Sequence, residues 1–366
     1  MENISNKSIN DFKKFGFIHL KNFLSHSEVQ TINEYRENIV TKKLRDLYSI
    51  NKQKLAKSNL KNAPKNILLE DLKNNPEIKF KNFNNLKKYF LKKNIISETS
   101  LDIDKNLEFD LHIAFANSEE ANYKDDCDIL LNDIISKIFL KDDLIKIYQT
   151  LLNEQKLLYW GESGFTYNKP PIRGWHSDDP INTRFKTNDE TFQIRVGIFP
   201  DSKNNQSGGL KILPTSHKYN TPLQALKNYI KYFFFKIEDC KNTYKSINLL
   251  QFQKNIFPSN GDIIIWDKRL MHSPWAGMLK FLNFGCLPPK IENYLPKTFF
   301  VSPSFPRSIL SFDLGKKSTG LNNYLNKWIN IRHDYKEYWK SRDEFKKKEY
   351  MDFLDKKNIE YHNIKV

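Results

Sequence analysis

The sequence predicts a mainly β fold with helical additions, of the sandwich or jelly-roll type. From about residue 157, short runs of β-branched and aromatic residues alternate with Gly, Pro, Asn and Asp, as in short strands joined by tight turns. Apolar residues at helical spacing on either side of this region predict helices. Of the 366 residues, 39% are hydrophobic and 14% aromatic, enough to bury a large core. We expect one domain spanning residues 1–366.

The N-terminal part predicts a strand followed by helices. Phe15–Leu20 is rich in aromatic and branched residues, which favour a strand. Either Ser25 or Ser27 is suited to cap the helix that follows, in which Val29, Ile32 and Tyr35 recur at helical spacing. We expect helical additions over about residues 25–150.

The predicted core spans about residues 157–290, and two further helical segments accompany it. One is an insertion at about residues 218–258, whose aromatic stretch Tyr229–Lys236 forms either a helix covering the core or a surface for a partner or membrane. The other is the tail, about residues 320–366, where Tyr324, Trp328 and Ile331 have helical spacing. The predicted core strands are Leu157–Trp160, Gly164–Tyr167, Thr191–Phe199, Leu210–Leu213, Asp262–Trp266 and Leu279–Cys286.

Charge and cysteine content narrow the class of protein. The net charge is +16, but only nine of the 59 basic residues are Arg, and Arg is the residue best suited to bidentate phosphate recognition. A nucleic-acid partner is therefore disfavoured, with a polyanion partner kept as the alternative. Three widely spaced cysteines give neither a disulfide framework nor a zinc knuckle, which favours a cytoplasmic location. No apolar run is long enough to span a bilayer, and the oligomeric state is left open.

His176-Ser177-Asp178 is the strongest functional signal. Side chains two apart on a strand point the same way, so His176 and Asp178 would meet at one place while Asp179 would point elsewhere. His272, 94 residues beyond Asp178, lies near the far end of a second apolar strand that starts at the Asn260-Gly261-Asp262 turn, and it is the candidate third ligand. Two histidines and one carboxylate suit a non-haem Fe(II) centre with open positions. Zinc, with water as a fourth ligand, is the competing interpretation.

Four segments together resemble the phytanoyl-CoA dioxygenase family of Fe(II)/2-oxoglutarate-dependent oxygenases. They are Phe12–Leu24, Trp175–Asp178, Ser207–Lys218 (with Thr215 where the family usually has Gly) and Asn260–Ser273. The resemblance implies a double-stranded β-helix (jelly-roll, cupin-like) core with His176, Asp178 and His272 as iron ligands and no further catalytic residue. It also implies O₂-dependent decarboxylation of 2-oxoglutarate to succinate, coupled to hydroxylation of a small-molecule, lipid or saccharide substrate. A carboxylate at position 178 favours hydroxylation over halogenation.

The anchor for the far carboxylate of 2-oxoglutarate departs from the family pattern. The family usually has an Arg nine to eleven residues after the distal histidine, where this chain has Phe281, Leu282 and Asn283. Lys280 is the nearest cation, and Arg195 is the other candidate unless it faces solvent. Two alternative functions therefore stay open: a metal-binding jelly roll without oxygenase turnover, and a zinc-dependent hydrolase on the same barrel.

Overall fold

The computed structural model describes residues 4–36, 38, 128–168, 176–179, 189–200, 209–218, 254–273, 295–296, 299, 307–331 and 348–362. In these ranges the helices are α1 (Asn6–Phe15), α2 (26–36), α3 (Asp133–Phe139), α4 (Asp142–Leu152), α5 (Thr319–Ile331) and α6 (Lys348–Lys356). The strands are β1 (Phe17–Leu20), β2 (Leu157–Tyr159), β3 (Ser163–Asn168), β4 (Gln193–Ile198), β5 (Leu210–Ile212), β6 (Lys254–Ile256), β7 (Ile263–Asp267), β8 (His272–Ser273), β9 (Arg307–Lys316) and β10 (Ile359–Tyr361). The prediction of a mainly β protein with helices is confirmed.

Two sheets organise the described residues. The larger has seven strands in the order β1-β7-β4-β9-β2-β10, with β3 also paired to β9. Its pairings are antiparallel except for the parallel contact between β10 and β2. The smaller sheet has the order β6-β5-β8. Strand β9 is the longest, and it joins β4 on one side to β2 and β3 on the other.

Alternation along the central strands gives the larger sheet two buried faces. On β7, Ile263 and Ile265 pack into the cluster that includes the helices, whereas Ile264 and Trp266 pack into the cluster shared with the smaller sheet. The same period of two directs Val196 of β4 and Phe312 of β9 to the helix-covered face. The second face is the one that carries the candidate site.

Helix ends follow local capping rules. Ser5 Oγ accepts a hydrogen bond from Ser8 N–H at 3.1 Å at the start of α1, and Gly16 ends that helix with φ 86°. At α2, Ser25 Oγ accepts from Glu28 N–H while Glu28 Oε2 accepts from Ser25 N–H, which is a capping box. Ser25, rather than Ser27, is therefore the cap. No helix in the described ranges has both the length and the apolar character needed to cross a membrane.

Five predicted core strands correspond to β2, β3, β4, β5 and β7, whereas Leu279–Cys286 and most of the 218–258 insertion lie outside the described residues. The first strand is shorter than predicted, because Phe15 ends α1 and the strand begins at Phe17. The larger sheet also extends beyond residues 157–290: β9 lies at its centre, and β10 adds a strand to a tail predicted as helical. Ile359 of β10 is buried beside Leu157, which explains that pairing.

The Gly261-Asp262 turn connects the N-terminal strand to β7. Asp262 accepts hydrogen bonds from the backbone N–H groups of Asn22 and Ser259, each at 2.8 Å, and its Oδ2 lies 2.7 Å from Nε2 of His19. Burial opposes ionisation, but the His19 contact and these two N–H groups together lower the pKa of Asp262. The aspartate of this segment therefore has a structural role in registering β1 against β7.

Thr215 is held in the left-handed region, with φ 72°. Its side chain is buried, and its Oγ1 has no hydrogen-bond partner in the described part of the chain. A β-branched residue is strained at this φ by roughly 1–2 kcal/mol, and a buried unpaired hydroxyl adds a further penalty. We expect Thr215→Gly to raise the free energy of unfolding by about 1 kcal/mol after the loss of one methyl contact and the added flexibility of glycine.

Urea denaturation monitored by circular dichroism measures this change. Thr215→Ala is the control, because it removes the hydroxyl but keeps the Cβ atom that is strained at this φ, and it should gain less than the glycine variant. A glycine variant less stable than both the alanine variant and the wild type would show that the contacts of the Cβ atom and the flexibility of glycine outweigh backbone strain here.

Candidate metal centre

His176 and His272 are paired through their backbones. His176 N–H donates to His272 O at 3.0 Å, and His272 N–H donates to His176 O at 2.8 Å. Residues that face each other in such an antiparallel pair place their side chains on the same side. The two imidazole ring centres are accordingly 4.5 Å apart.

The segment around Ser216 supports the approach to His272. Ser216 Oγ accepts a hydrogen bond from Met271 N–H at 2.8 Å, and Leu213 N–H donates to Met271 O at 2.9 Å. β8 also pairs with β5, with Ile212 opposite His272. The stretch that resembles a family motif thus fixes the backbone that carries the distal histidine.

Asp178 completes a cluster of three ligand-type side chains. Its Oδ2 lies 3.4 Å from His272 Nε2, and its Oδ1 lies 3.9 Å from His176 Nε2. One donor atom from each of the three residues falls within 4.8 Å of the others. Asp179 is directed elsewhere, since its Oδ1 accepts a 2.7 Å hydrogen bond from Tyr324 Oη–H on α5. The structure therefore brings His176, Asp178 and His272 together and leaves Asp179 out.

The two histidines have different environments. His272 is buried, with 5% of its side chain exposed, and its Nδ1 hydrogen-bonds to Leu270 O at 3.0 Å. That bond fixes Nδ1 as the protonated nitrogen and leaves the Nε2 lone pair directed at the cluster. Burial lowers the pKa of His272 to about 4, so the ring is neutral at physiological pH. His176 is 44% exposed, and it lies on the open side of the site.

Each oxygen of the Asp178 carboxylate contacts a polar protein group. Arg195 Nη1 lies 2.8 Å from Oδ1, and Trp266 Nε1–H donates to Oδ2 at 3.1 Å. Burial would raise the pKa of Asp178, but the charge of Arg195, with smaller contributions from His272 and His176, holds it well below the usual range. The carboxylate is therefore ionised and oriented.

Sheet register explains why these donors meet. Arg195 of β4 lies directly opposite Trp266 of β7 on one side and opposite Asp313 of β9 on the other. Side chains that are direct cross-strand partners share a face. The face between the sheets thus presents Trp266, Arg195 and Asp313 side by side beneath Asp178.

Arg195 belongs to a buried charge network, which consists of Glu162, Arg195, Lys268 and Asp313. Its Nε and Nη2 atoms bind Asp313 at 2.6 and 2.8 Å, and Nη2 also reaches Glu162 Oε1 at 2.7 Å. Lys268 Nζ lies 2.6 Å from Asp313 Oδ2 and 3.0 Å from Glu162 Oε2. Burial opposes ionisation of Lys268, but Asp313 and Glu162 outweigh that effect and raise its pKa.

Aromatic side chains enclose the network. Lys268 Nζ lies 5.3 Å from the ring centre of Trp160 and 5.6 Å from that of Trp328 on α5, within the range of cation–π attraction. Trp160 Nε1–H also donates to Glu162 Oε2 at 3.1 Å. Helix α5 therefore contacts the charge network through Trp328 and the neighbouring Asp179 through Tyr324.

Of the two residues predicted to bind the far carboxylate of 2-oxoglutarate, the structure describes Arg195 but not Lys280. Lys280 lies outside the described residues. The Arg195 side chain is 20% exposed; it donates three hydrogen bonds to Asp313 and Glu162, and its Nη1 forms an ion pair with Asp178. A bidentate grip on a further carboxylate would require it to release one of these partners.

Glu162, Lys268 and Asp313 were not predicted from the sequence to lie near the site. One local signal was present: Asp313 stands in a run with buried Leu310, Phe312 and Leu314, and a charge in such a run indicates a buried partner.

The three candidate ligands are two imidazoles that can be neutral and an ionised carboxylate. This set of donors fits a divalent iron or zinc ion.

Comparisons with solved structures show distant likenesses. EctD from S. alaskensis with 2-oxoglutarate and 5-hydroxyectoine is 13% identical, with a TM-score of 0.41 and coverage of 86% of this chain and 77% of EctD. HygX from Streptomyces hygroscopicus with nickel and 2-oxoglutarate is 10% identical, with a TM-score of 0.40 and coverage of 86% and 87%. The alpha-ketoglutarate-dependent epimerase SnoN from nogalamycin biosynthesis is 10% identical, with a TM-score of 0.37 and coverage of 85% and 80%.

Among curated proteins, none matches this sequence. The family model described as phytanoyl-CoA dioxygenase (PhyH) matches residues 12–274, a span that contains His176, Asp178 and His272. The match covers well over half of the chain, and the chain therefore belongs to the phytanoyl-CoA dioxygenase family.

Proposed function

We propose that this protein is an Fe(II)/2-oxoglutarate-dependent dioxygenase that hydroxylates a small-molecule, lipid or saccharide substrate. The observation that carries the proposal is the convergence of His176, Asp178 and His272, in a chain that the family model matches across all three residues. We further propose a single domain with a jelly-roll core, which the packing of the two sheets against a shared apolar cluster supports.

His272 Nε2, a nitrogen of His176 and an oxygen of Asp178 would hold the iron. When bound, iron and 2-oxoglutarate supply O₂ activation, with decarboxylation of 2-oxoglutarate to succinate and oxidation of the substrate. The protein's part is to orient the ligands: the Leu270 carbonyl fixes the His272 ring, and Arg195 and Trp266 fix the Asp178 carboxylate. The exposed side of His176 is where cosubstrate and substrate would enter.

The anchor for the far carboxylate of 2-oxoglutarate is proposed as Lys280, with Arg195 as the alternative. The commitment of Arg195 to three protein carboxylates supports this order. A lysine would act as a point charge, without the fork that arginine offers.

Succinate release tests the proposal directly. Purified protein with Fe(II), ascorbate, O₂ and 2-oxoglutarate should form succinate, slowly alone and faster with a substrate from a panel of small molecules, lipids and saccharides. Replacement of iron by Zn(II) should abolish the reaction. Absence of succinate under all these conditions, combined with hydrolysis that depends on Zn(II), would favour the zinc hydrolase instead.

Metal binding should also stabilise the fold. Ligation of the native state alone adds about 2.7 kcal/mol at a hundredfold excess over Kd, so Co(II), which accepts the same ligand types, should raise the Tm of the wild type. A Tm that does not respond to Co(II) or to anaerobic Fe(II) would contradict a metal centre. His26→Ala, at an exposed histidine in α2, should keep the full response.

A further inference from the structure

The orientation of Asp178 depends on residues outside the three candidate ligands. Arg195 Nη1 holds Oδ1 at 2.8 Å, and Arg195 is itself fixed by Asp313 through two hydrogen bonds and by Glu162 through a third. Lys268 then bridges the same two acids. The carboxylate of one ligand is thus connected to β4, β9, the segment before β3 and the turn after β7.

Geometry favours a positioning role for Arg195 over a binding role. Its guanidinium is planar and its five N–H donors have fixed directions. With three hydrogen bonds to Asp313 and Glu162 and an ion pair to Asp178, the group has little freedom to turn toward an incoming anion. The same rigidity makes it suited to hold Asp178 at one orientation relative to the two imidazoles.

The charges around Asp178 favour a metal ion. Asp178, Glu162 and Asp313 supply three carboxylates, and Arg195 and Lys268 supply two cations; the exposed fractions of these side chains range from 0% for Asp313 to 20% for Arg195. The surplus of one negative charge favours a divalent cation next to Asp178.

We infer that Arg195, braced by Asp313, Glu162 and Lys268, is a positioning residue that orients Asp178 for metal binding. This inference rests on the proposed function. The bracing residue Asp313 and the enclosing Trp328 lie beyond residue 274, where the match to the family model ends. The support for the metal centre is therefore built in part from this chain's own C-terminal strand and helix.

Arg195→Lys tests the inference, and Arg269→Lys is its matched control. Lysine keeps the positive charge, but a single Nζ cannot span Asp178, Asp313 and Glu162. Arg269 forms a similar fork with Asp267, at 2.9 and 2.6 Å. Each variant therefore loses a part-buried pair of hydrogen bonds from an arginine to an aspartate, but only Arg195→Lys also loses the contact with Asp178.

Three measurements on the full chain distinguish the roles: Co(II) affinity by competition with a chromophoric chelator, the visible absorption spectrum of bound Co(II), and the KM for 2-oxoglutarate at saturating Fe(II). We expect Arg195→Lys to weaken Co(II) binding about 10–100-fold and to change the spectrum, with KM for 2-oxoglutarate within about threefold of wild type. Arg269→Lys should match wild type in all three.

Unchanged Co(II) affinity and spectrum in Arg195→Lys would overturn the inference, and a raised KM alone would make Arg195 the cosubstrate anchor. If Arg195→Lys fails to fold, the double variant Arg195→Met with Asp313→Asn removes one charge of each sign and keeps the net charge of the region, and the same loss of Co(II) affinity is expected of it. A wild-type protein that binds neither Co(II) nor Fe(II) would overturn the proposed function itself, which is a different result from a variant that binds as well as wild type.

Discussion

Replacing His176 with alanine is expected to lower 2-oxoglutarate turnover by more than about a hundredfold while leaving the fold intact. A ligand lost outright should exceed the 10–100-fold loss typical of substitutions beside the ligands. His176 is the ligand candidate best suited to this test, because 44% of its side chain is exposed and its removal sacrifices little packing. Its backbone pairing with His272 does not depend on the side chain.

Succinate formation and bound iron, measured on the same preparation, check this expectation. Circular dichroism and the melting temperature of the metal-free protein should remain close to wild type, which separates loss of metal from loss of structure. His26→Ala, remote from the site and exposed, should turn over like wild type. Full activity in His176→Ala would remove His176 from the ligand set and require another donor beside Asp178 and His272.

Short-range patterns predicted the parts of the site that lie on single segments. The period of two along a strand selected Asp178 over Asp179, and the structure places Asp178 beside the histidines and Asp179 against Tyr324. The apolar run before His272 predicted β7, but that strand ends at Asp267, and His272 lies on the separate strand β8 rather than near the end of β7. Such inferences need only the local geometry of a strand, which the residues themselves specify.

The support around the site could not be predicted in the same way. Arg195 and Asp313 are 118 residues apart, and Lys268 and Glu162 are 106 residues apart, so their meeting depends on sheet order and register. Nothing in a chain with 28% charged residues marks which charges will face each other inside. Strand β9 was missed altogether, although its alternation of Ser311 and Asp313 with Leu310, Phe312 and Leu314 is typical of a strand with one apolar face.

His217 lies in the segment Ser207–Lys218, which resembles a family motif, but it is not part of the cluster of ligand-type side chains. It is buried against the end of α1, where a Cβ atom on Gly16 would lie 2.5 Å from its Nδ1. Burial lowers the pKa of His217 to about 4, so the ring packs there as a neutral group.

Lys268→Met is expected to be the most destabilising single change in the network, at about 3–5 kcal/mol at neutral pH. Only 3% of the lysine side chain is exposed, and its removal leaves Glu162 and Asp313 facing each other with Arg195 as their remaining partner. Methionine fills much of the space between Trp160 and Trp328, so lost volume contributes little. The penalty comes from two carboxylates that are left to share one cation, Arg195.

The pH dependence of the stability of Lys268→Met should identify the carboxylate that takes up a proton. Burial already raises the pKa of Asp313, and loss of Lys268 should raise it further above the value of about 3.9 in the unfolded chain. A native state that binds a proton more tightly than the unfolded state gains stability as the pH falls through its raised pKa. The deficit of Lys268→Met relative to wild type should therefore be largest near pH 8 and shrink toward about pH 5.5.

Urea denaturation across this pH range measures the deficit, and Lys141→Met supplies the comparison. Lys141 lies 2.8 Å from Glu28, with 26% and 23% of the two side chains exposed, so the same substitution there should lower stability by about 0–1 kcal/mol. If the two variants lose equal stability, the network is screened by solvent and contributes no more than a surface pair. If the loss of stability in Lys268→Met does not change with pH, neither Glu162 nor Asp313 takes up a proton. The charge of Arg195 alone would then be enough to keep both carboxylates ionised.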